Sequence, residues 1–327
     1  MARLRSGGRP RGRRPTDDRL ARGDLPDRVS GRPRRVLVTG AGGFIGGHVL
    51  AAAPADWEVV ALSRRALPAG RNVSPARWSG KPGVPLPDEL HEPFDATIHL
   101  AGNASHALAS SEPWRDLAMT GGVAAAILSS IATRRVVLLS SAAVYAGLEG
   151  RVDPRLAVDP RMPYALSKRY VEGLVHALQT RGRIADVVTF RLYNAFGPGE
   201  RPTRLIPRIA AAVRNRRPFE LSGDPASLSD PVEVGWVAGA LIAAAGAGIT
   251  GTFDLCGGDP VLLADQVGRI AAVLGMPELD VELRPNPDEE PIRFWSDPGP
   301  AIEAFRLSRP TPFPDAVRDY ARSAGWI

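Results

Sequence analysis

The order of apolar and polar positions predicts strands and helices that alternate from residue 34 onward. Residues 36–38 form a short apolar run that leads into glycine, and apolar residues then recur at helical spacing from Phe44 to Leu50. Further apolar runs, each typical of a buried strand, lie at 57–63, 96–101, 135–141 and 185–193. Helical patterns cover 112–131 and 164–180. This alternation predicts parallel strands joined by crossover helices, which is a doubly wound α/β sheet.

Beyond residue 195 the pattern changes to shorter segments that are punctuated by proline and glycine. We therefore divide the chain into a leader at 1–33, a sheet domain at 34–195 and a smaller portion at 196–327. The last portion is expected to pack across the carboxyl edge of the sheet and to return some segments to it. Ligands of doubly wound sheets bind at that edge, so we expect the functional site there.

Charge is concentrated at the start of the chain. The net charge is +6, and residues 1–35 hold twelve arginines against four aspartates. The leader has few apolar residues to bury and is interrupted by glycine and proline, so we predict that it is disordered. An arm that touches RNA or a membrane is the alternative hypothesis. Arginine-rich runs are not specific to such arms, so disorder is the favoured interpretation.

Composition favours a soluble, cytoplasmic protein without a metal. The longest apolar stretch, at 237–249, falls short of the roughly 20 residues that a spanning helix needs. A single cysteine, Cys256, cannot form an internal disulfide, and the five scattered histidines do not complete a zinc site with it. We expect neither a membrane nor a nucleic acid as partner.

The segment "TGAGGFIG" places Gly40, Gly43 and Gly46 between a predicted strand and a predicted helix. Glycine residues allow the chain to turn tightly there and let a pyrophosphate approach the backbone N–H groups at the positive end of the helix. A plain loop is the alternative, but the position between strand and helix favours a dinucleotide site.

The second predicted strand ends in Ser63, Arg64 and Arg65, where NAD-binding proteins usually place an acid. A guanidinium group binds phosphate through two parallel hydrogen bonds. The segment therefore favours NADP over NAD as the cofactor. The alternative is a pair of solvated arginines in an arginine-rich chain.

The chain has two lysines, and one of them, Lys168, follows Tyr164 by four positions. On a helix these residues are neighbours on one face, so the ammonium group can lie beside the phenol and favour its ionised form. Ser140 and Ser141 end the strand that precedes this helix. A serine hydroxyl can donate to one oxygen and accept from another, as a partner of a tyrosine acid or base must. Turn formation is the alternative role for these serines.

Five segments, "TGAGGFIG", "IHLAG", "LLSSAAVYAG", "PYALSK" and "RLYNAFGPGE", stand in an order that resembles the extended short-chain dehydrogenase/reductase family. This family comprises nucleotide-sugar epimerases, dehydratases and reductases with a Rossmann-type sheet, and the resemblance covers 36–327. It implies that Ser141, Tyr164 and Lys168 are catalytic. It also implies cofactor contacts from the glycine turn, the end of the second strand, the segments "IHLAG" and "RLYNAFGPGE", and the helix with the Tyr–Lys pair. The implied residues are Gly40, Gly43, Phe44, Ile45, Gly46, Ser63, Arg64, Arg65, Leu100, Ala101, Gly102, Tyr164, Lys168 and Tyr193.

The same resemblance implies a substrate side formed by residues around Ser141 and in the last third of the chain. Asn194 and Arg284 would contact a nucleotide diphosphate, and the base would lie near two later segments. The implied substrate residues are Ser141, Ala142, Asn194, Leu205, Ile206, Phe219, Leu221 and Arg284. For Asn194 and the residues after it, the alternative interpretation is an ordinary position in a helix, in a strand or on the charged surface. This chain also departs from its relatives, because Ser229 stands where they often carry an arginine.

We therefore predict an NAD(P)-dependent enzyme that transfers a hydride at C4 of a nucleotide-linked sugar, as a 4-ketoreductase or a 4-epimerase. Dehydration is disfavoured, because Ala142 and Ala143 stand where dehydratases usually carry an acid. A non-catalytic cofactor-binding protein on the same fold is the alternative from another class. The resemblance also implies a homodimer, formed through the helices at 112–131 and 164–180.

Overall fold

The computed structural model describes residues 34–81, 83–284 and 291–327. The predicted leader, at 1–33, lies outside the described residues. So do residue 82 and residues 285–290, which hold most of the late motif "LRPNPDE". The fold described below belongs to the remaining ranges.

Strands and helices succeed one another along the described chain. The strands are β1 (Arg34–Thr39), β2 (Trp57–Ser63), β3 (Val73–Arg77), β4 (Phe94–His99), β5 (Thr133–Ser141), β6 (Glu149–Arg151), β7 (Asp186–Leu192), β8 (Asn194–Phe196), β9 (Phe219–Ser222), β10 (Leu228–Ser229), β11 (Pro231–Glu233), β12 (Gly251–Leu255), β13 (Val261–Leu262), β14 (Val281–Arg284) and β15 (Arg293–Trp295). The α-helices are α1 (Phe44–Ala52), α2 (His106–Ser111), α3 (Pro113–Leu117), α4 (Val123–Leu128), α5 (Pro163–Thr180), α6 (Leu205–Asn215), α7 (Val234–Gly246), α8 (Leu263–Val273), α9 (Gly299–Phe305) and α10 (Phe313–Ser323). A π-helical turn (Ala118–Gly122) joins α3 to α4.

Parallel strands form the central seven-stranded sheet, in the order β12-β7-β5-β4-β1-β2-β3. The order changes direction at β1, where Val36 lies between Val59 of β2 and Ala96 of β4. This is the doubly wound, Rossmann-type sheet that the alternating pattern predicts. Connections leave β1 and β4 toward opposite sides, so a crevice opens at their carboxyl ends.

The five strands predicted from apolar runs are β1, β2, β4, β5 and β7 of this sheet. The structure adds β3 and β12 at its two edges. Strand β3 contains Pro75 and exposed polar residues, so it carries no apolar run. Proline is tolerated there because an edge strand has a neighbour on one side alone.

Helices cover both faces of the sheet. On one face α1 and α7 bury Val49 and Leu241 against strand residues that include Val38. On the other face α4 and α5 bury Ile127 and Val171 against residues that include Leu37. Neighbouring residues of β1 thus serve opposite cores, because successive strand side chains point to opposite faces. This explains why the buried strands are continuous apolar runs.

The chain after β8 builds a second core beside the carboxyl edge of the sheet. Helices α6, α8 and α10 bury Ile209, Ile270 and Val317 together. Helix α7 and strand β12 return to the central sheet. The C-terminal portion therefore contributes both to a separate core and to the sheet itself.

None of the helices in the described ranges combines the length and the apolar composition that crossing a membrane requires. In the same ranges, no three His, Cys, Asp or Glu side chains are grouped as ligands of a metal ion.

The turn between β1 and α1 needs glycine at two positions. Gly40 has a φ of +67°, and a Cβ on it would lie 2.8 Å from the backbone nitrogen of Ala101 in the segment after β4. A Cβ on Gly46 would overlap the carbonyl oxygen of Gly40 and lie 2.8 Å from the Cα of Ala41. The first turn of α1 thus packs directly on the backbone of the loop that precedes it.

We expect Gly46→Ala to lower the free energy of unfolding by roughly 1–3 kcal/mol, because the added methyl group forces the helix away from the turn. Gly47 is the matched control, since a Cβ there would meet no heavy atom within 4 Å. Gly47→Ala should raise the free energy of unfolding by about 0.5–1 kcal/mol through helix propensity. Urea unfolding followed by circular dichroism measures both, and equal effects would contradict the close contact at Gly46.

Candidate active site

A cleft of about 1560 Å³ runs along the carboxyl ends of the sheet strands. Segments that follow β1, β2, β3, β4, β5 and β7 line it, together with residues after β8. Small-molecule pockets usually measure about 300–1,000 Å³. The cleft therefore has room for more than one small molecule, at the edge where the sequence predicts the site.

The glycine turn forms one end of the cleft. Helix α1 begins after Gly43, and its first turn contains no acidic residue. Backbone N–H groups at such a helix start attract anions, and the missing side chains let a ligand approach them. This end fits the pyrophosphate of a dinucleotide. All residues predicted to bind the cofactor line the cleft: Gly40, Gly43, Phe44, Ile45, Gly46, Ser63, Arg64, Arg65, Leu100, Ala101, Gly102, Tyr164, Lys168 and Tyr193.

The end of β2 lies beside the glycine turn. The Ser63 hydroxyl accepts the backbone N–H of Arg65 at 3.2 Å, and the Arg65 guanidinium donates to the carbonyl of Gly42. Arg64 and Arg65 are exposed in the cleft. Two guanidinium groups therefore stand where an acid would bind ribose hydroxyls in NAD-binding proteins.

Helix α5 carries Tyr164 in its first turn and Lys168 one turn later. The Lys168 Nζ lies 5.5 Å from the centre of the Tyr164 ring, as the four-residue spacing predicts. A Cβ on Gly102 would lie 3.5 Å from the same nitrogen, so the segment after β4 packs against the ammonium group. The pair thus lies in the same cleft as the glycine turn, beside the segment after β4.

Ser141 is the last residue of β5 and also lines the cleft. Its Oγ accepts the backbone N–H of Ala143 at 3.2 Å. That bond uses a lone pair of the hydroxyl group, so the hydroxyl hydrogen is available to a ligand oxygen. Ala142 and Asn194, two further residues predicted for the substrate side, line the cleft as well.

His106, at the start of α2, stacks on the Tyr164 ring with the ring centres 4.1 Å apart and the planes at 26°. Partial burial lowers the pKa of His106, and the positive charges of Arg204 and Lys168 lower it further, whereas Asp116 opposes them. The imidazole is therefore biased toward its neutral form. Its place against the phenol restricts the orientation of Tyr164.

The segment after β8 adds arginines and a buried acid to the cleft, and it lies close to the start of α1, since a Cβ on Gly199 would lie 3.9 Å from the Phe44 ring. Arg201, Arg204 and Glu200 line the cleft, and the Arg204 Nε lies 3.6 Å from one Glu200 carboxyl oxygen. The Glu200 side chain is 4% exposed, and within the described chain its other oxygen has no hydrogen-bond partner. Burial raises the pKa of Glu200 to about 7, although Arg204 opposes this shift. Glu200 thus exchanges a proton near neutral pH.

Five of the predicted substrate residues lie elsewhere. Their side chains do not line the cleft: Leu205, Ile206, Phe219, Leu221 and Arg284. Ile206, Phe219 and Leu221 are buried in the core of the C-terminal portion, and Leu205 packs against it. Arg284 is exposed and pairs with Glu220 and Glu282 at 3.3 Å each. Apolar packing explains the positions of the four α6 and β9 residues without a ligand, and ion pairs explain that of Arg284.

The carboxylate of Glu172 connects α5 to the sheet. Ser140 donates to its Oε1 at 2.6 Å, and the Arg191 Nη2 donates to its Oε2 at 2.9 Å. Ser140 and Arg191 are paired residues of β5 and β7, and all three side chains are buried. One carboxylate therefore holds the strand that ends in Ser141 and the helix that carries the Tyr–Lys pair.

A second buried contact holds the other side of α5. Ser167 donates to Asp116 of α3, and the Asn103 side chain donates to the same carboxylate at 2.8 Å. Asn103 follows Gly102, the residue packed against the lysine. The helix is thus fixed both to β5 and to the segment after β4.

The sequence pattern does not mark His106, Arg204 or Glu200. Arg204 follows Glu200 by four positions, but only the folded chain places both in the cleft, and His106 meets Tyr164 only through the folded chain. Glu172 did leave a signal: it lies among the buried positions of α5, between Val171 and Val175. An acidic residue on the apolar face of a helix indicates a buried partner.

Fold, glycine turn and Tyr–Lys pair together define a protein of the extended short-chain dehydrogenase/reductase class. A family model described as the NAD dependent epimerase/dehydratase family matches residues 36–252, and the chain belongs to this family.

Similar proteins include enzymes that act on nucleotide sugars. A UDP-glucuronate 4-epimerase of Thermodesulfobacterium geofontis is 28% identical over a stretch that covers 42% of this chain and 43% of that relative, so the match spans less than half of the relative. The structure of MoeE5 in complex with UDP-glucuronic acid and NAD is 25% identical with a TM-score of 0.79, and the match covers 89% of this chain and 99% of MoeE5. A UDP-N-acetylglucosamine 4-epimerase of Methanobrevibacter ruminantium M1 has the same TM-score at 22% identity, with 89% and 98% covered, and shows the common fold.

The raised pKa of Glu200 predicts a pH-dependent stability. The unfolded chain loses this proton near pH 4.5, whereas the folded chain keeps it to about pH 7. Between these values the folded state loses stability as the pH rises. Glu200→Gln removes this loss, so its advantage in unfolding free energy over the unsubstituted protein should grow by about 3 kcal/mol across that window. Urea unfolding at a series of pH values measures the difference, with Glu278→Gln at an exposed position as control. A difference that stays constant with pH would contradict the raised pKa of Glu200.

Proposed function

We propose that the protein is an NAD(P)-dependent enzyme that transfers a hydride at C4 of a nucleotide-linked sugar, as a 4-ketoreductase or a 4-epimerase. The observation that carries this proposal is the position of Tyr164 and Lys168, which lie in one cleft with the glycine turn and with Ser141. Proton transfer and cofactor binding then occur within reach of each other. The nucleotide-sugar enzymes among the similar proteins support the substrate class.

In this mechanism Tyr164 moves the proton of the reacting sugar hydroxyl through its phenolic oxygen. Ser141 donates its hydroxyl hydrogen to the same sugar oxygen and holds it in place. The ammonium group of Lys168 stabilises the negative charge that develops on the phenol as a proton leaves. His106 restricts the Tyr164 ring by stacking on it.

The cofactor, when bound, supplies or accepts the hydride at the sugar carbon. The glycine turn would hold its pyrophosphate, and Lys168 would hold a ribose hydroxyl. Ser63, Arg64 and Arg65 favour NADP over NAD. They stand where NAD-binding proteins usually carry a carboxylate, and the two guanidinium groups can bind the additional phosphate of NADP.

The nucleotide diphosphate would lie beside the segment that follows β8. Arg201 and Arg204 of that segment line the cleft and supply positive charge. Their charges replace that of the arginine that relatives often carry at the position of Ser229. The side-chain amide of Asn194 would donate to the same diphosphate. Arg284 stays a candidate from sequence alone, since its partners are Glu220 and Glu282.

Dehydration is less well supported than hydride transfer. Ala142 and Ala143 line the cleft directly after Ser141 and cannot move a proton. Eliminating water from a sugar requires an additional acid or base near the reacting carbons.

We expect Tyr164→Phe to lower turnover by about 10²–10⁴-fold, because the phenyl ring keeps its packing but cannot transfer a proton. Binding of NADPH, followed by its fluorescence, should stay nearly unchanged. Tyr170→Phe, six positions along the same helix, is the matched control. NADPH oxidation with 4-keto sugars and C4 inversion of UDP- and dTDP-hexoses, followed by NMR, measure turnover. Full activity of Tyr164→Phe would refute the assignment, and cofactor binding without turnover of any substrate would favour a binding protein.

We also propose that the protein forms a homodimer through α3 and α5. These helices expose the apolar side chains of Trp114, Leu117, Leu166 and Tyr170, which are 72%, 47%, 50% and 49% exposed, and Trp114 also lines the cleft. The Tyr170 ring lies over Gly121, in the turn that follows α3, so the face is continuous. A continuous apolar face of this kind suits a second copy of the same helices.

Tyr170→Asp should convert the dimer to a monomer, because a carboxylate in the paired apolar face would be buried without a partner. Light scattering after size-exclusion chromatography measures the mass. Leu283→Asp, at a position that is 51% exposed outside α3 and α5, is the control and should stay dimeric. An unsubstituted protein that is monomeric at micromolar concentration would contradict this proposal.

A further inference from the structure

The segments that follow β2 and β3 lie side by side at the glycine end of the cleft. The two strands are parallel neighbours, and Ser63 pairs with Arg77 at their carboxyl ends. The Trp78 backbone N–H donates to the Ser63 carbonyl at 3.0 Å, and the Arg77 Nε donates to the Arg64 carbonyl at 3.3 Å. The residues beyond these strands therefore face the same space from two sides.

The second of these segments makes a tight turn toward the first. Gly80 has a φ of +74°, and a Cβ on it would lie 3.8 Å from the Cδ of Arg64. The Lys81 backbone N–H donates to the Ser79 hydroxyl at 3.2 Å. This turn brings Ser79 and Lys81 into the lining of the cleft that Arg64 and Arg65 already form.

The charge of this end is positive on both sides. Arg64 and Arg65 project from one segment and Lys81 from the other, and all three are exposed in the cleft. Within the described residues the carboxylates that line the cleft are Glu200 and Asp230, which follow β8 and β10. A ligand group at the β2 and β3 ends would therefore meet cations and hydroxyl groups.

We propose that Ser79 and Lys81 form the second wall of a site for the 2′-phosphate of an adenine dinucleotide, opposite Ser63, Arg64 and Arg65. This inference rests on the proposed function, because it requires a dinucleotide on the glycine turn. The arginines supply planar donors, and the lysine supplies a compact point charge. A 2′-phosphate carries close to two negative charges and accepts from several donors, so it uses both walls, whereas a ribose hydroxyl uses neither charge. Lys81 is thus a specificity residue for NADP.

Binding of adenosine fragments tests the site without turnover. Isothermal titration of the full chain should give a dissociation constant for 2′,5′-ADP at least about tenfold below that for 5′-AMP. Lys81→Gln should weaken 2′,5′-ADP about fivefold to tenfold and leave 5′-AMP unchanged. Arg71→Gln, an exposed cation outside the cleft lining, is the matched control and should change neither value.

The outcomes separate this proposal from the function on which it rests. Equal affinity of the two nucleotides would overturn the phosphate site while leaving a dinucleotide site in place. An unchanged affinity of Lys81→Gln for 2′,5′-ADP would overturn the role of Lys81 in the second wall and leave a phosphate site formed by Ser63, Arg64 and Arg65. If neither nucleotide binds, and NADH and NADPH do not bind either, the proposed cofactor site fails and this inference fails with it.

The two lysines of the chain allow a direct observation of the contact. Reductive methylation with ¹³C-formaldehyde keeps the positive charge and labels Lys81, Lys168 and the chain's amino terminus. Loss of one signal in Lys81→Gln assigns it. Addition of 2′,5′-ADP should shift the Lys81 signal, and 5′-AMP should leave it in place. A Lys81 signal that ignores both nucleotides at saturation would contradict the proposal.

Discussion

A buried carboxylate, that of Glu172, holds the end of β5 and the helix of the Tyr164–Lys168 pair in one geometry. It accepts hydrogen bonds from Ser140 on β5 and from Arg191 on β7, and it lies on the helix that carries Tyr164. An unpaired charge in such a place would cost several kcal/mol, so sliding the helix along the sheet is strongly disfavoured. The distance between the strand end and the helix start is therefore set by electrostatics as well as by packing.

The charge along the cleft follows from this frame. Cations line the cleft in several places: Arg64 after β2, Lys168 on α5 and Arg204 after β8. A ligand that carries several phosphate groups would be attracted to such a cleft. Glu200 is buried beside Arg204 and keeps its proton to about pH 7, which limits the negative charge in the cleft.

The predictability of the site depends on how far apart its members lie in the chain. The Tyr164–Lys168 contact is set by one helical turn, so the spacing alone predicted it. The glycine turn was predictable because its residues are contiguous with a strand and a helix. The stack of His106 on Tyr164, and the place of Glu200 and Arg204 in the same cleft, required the folded chain, since no local pattern links α2, α5 and the segment after β8.

The sequence by itself determined the buried strands, the doubly wound sheet and the residues of the glycine turn and the Tyr–Lys pair. Each of these rests on contacts within a few residues or on runs of apolar side chains. The tertiary structure decided which later residues face the cleft. Phe219 and Leu221 are buried in the second core, whereas Arg201 lines the cleft. The reason is physical: in a short amphipathic strand or helix, the side that becomes buried is chosen by the packing of distant segments.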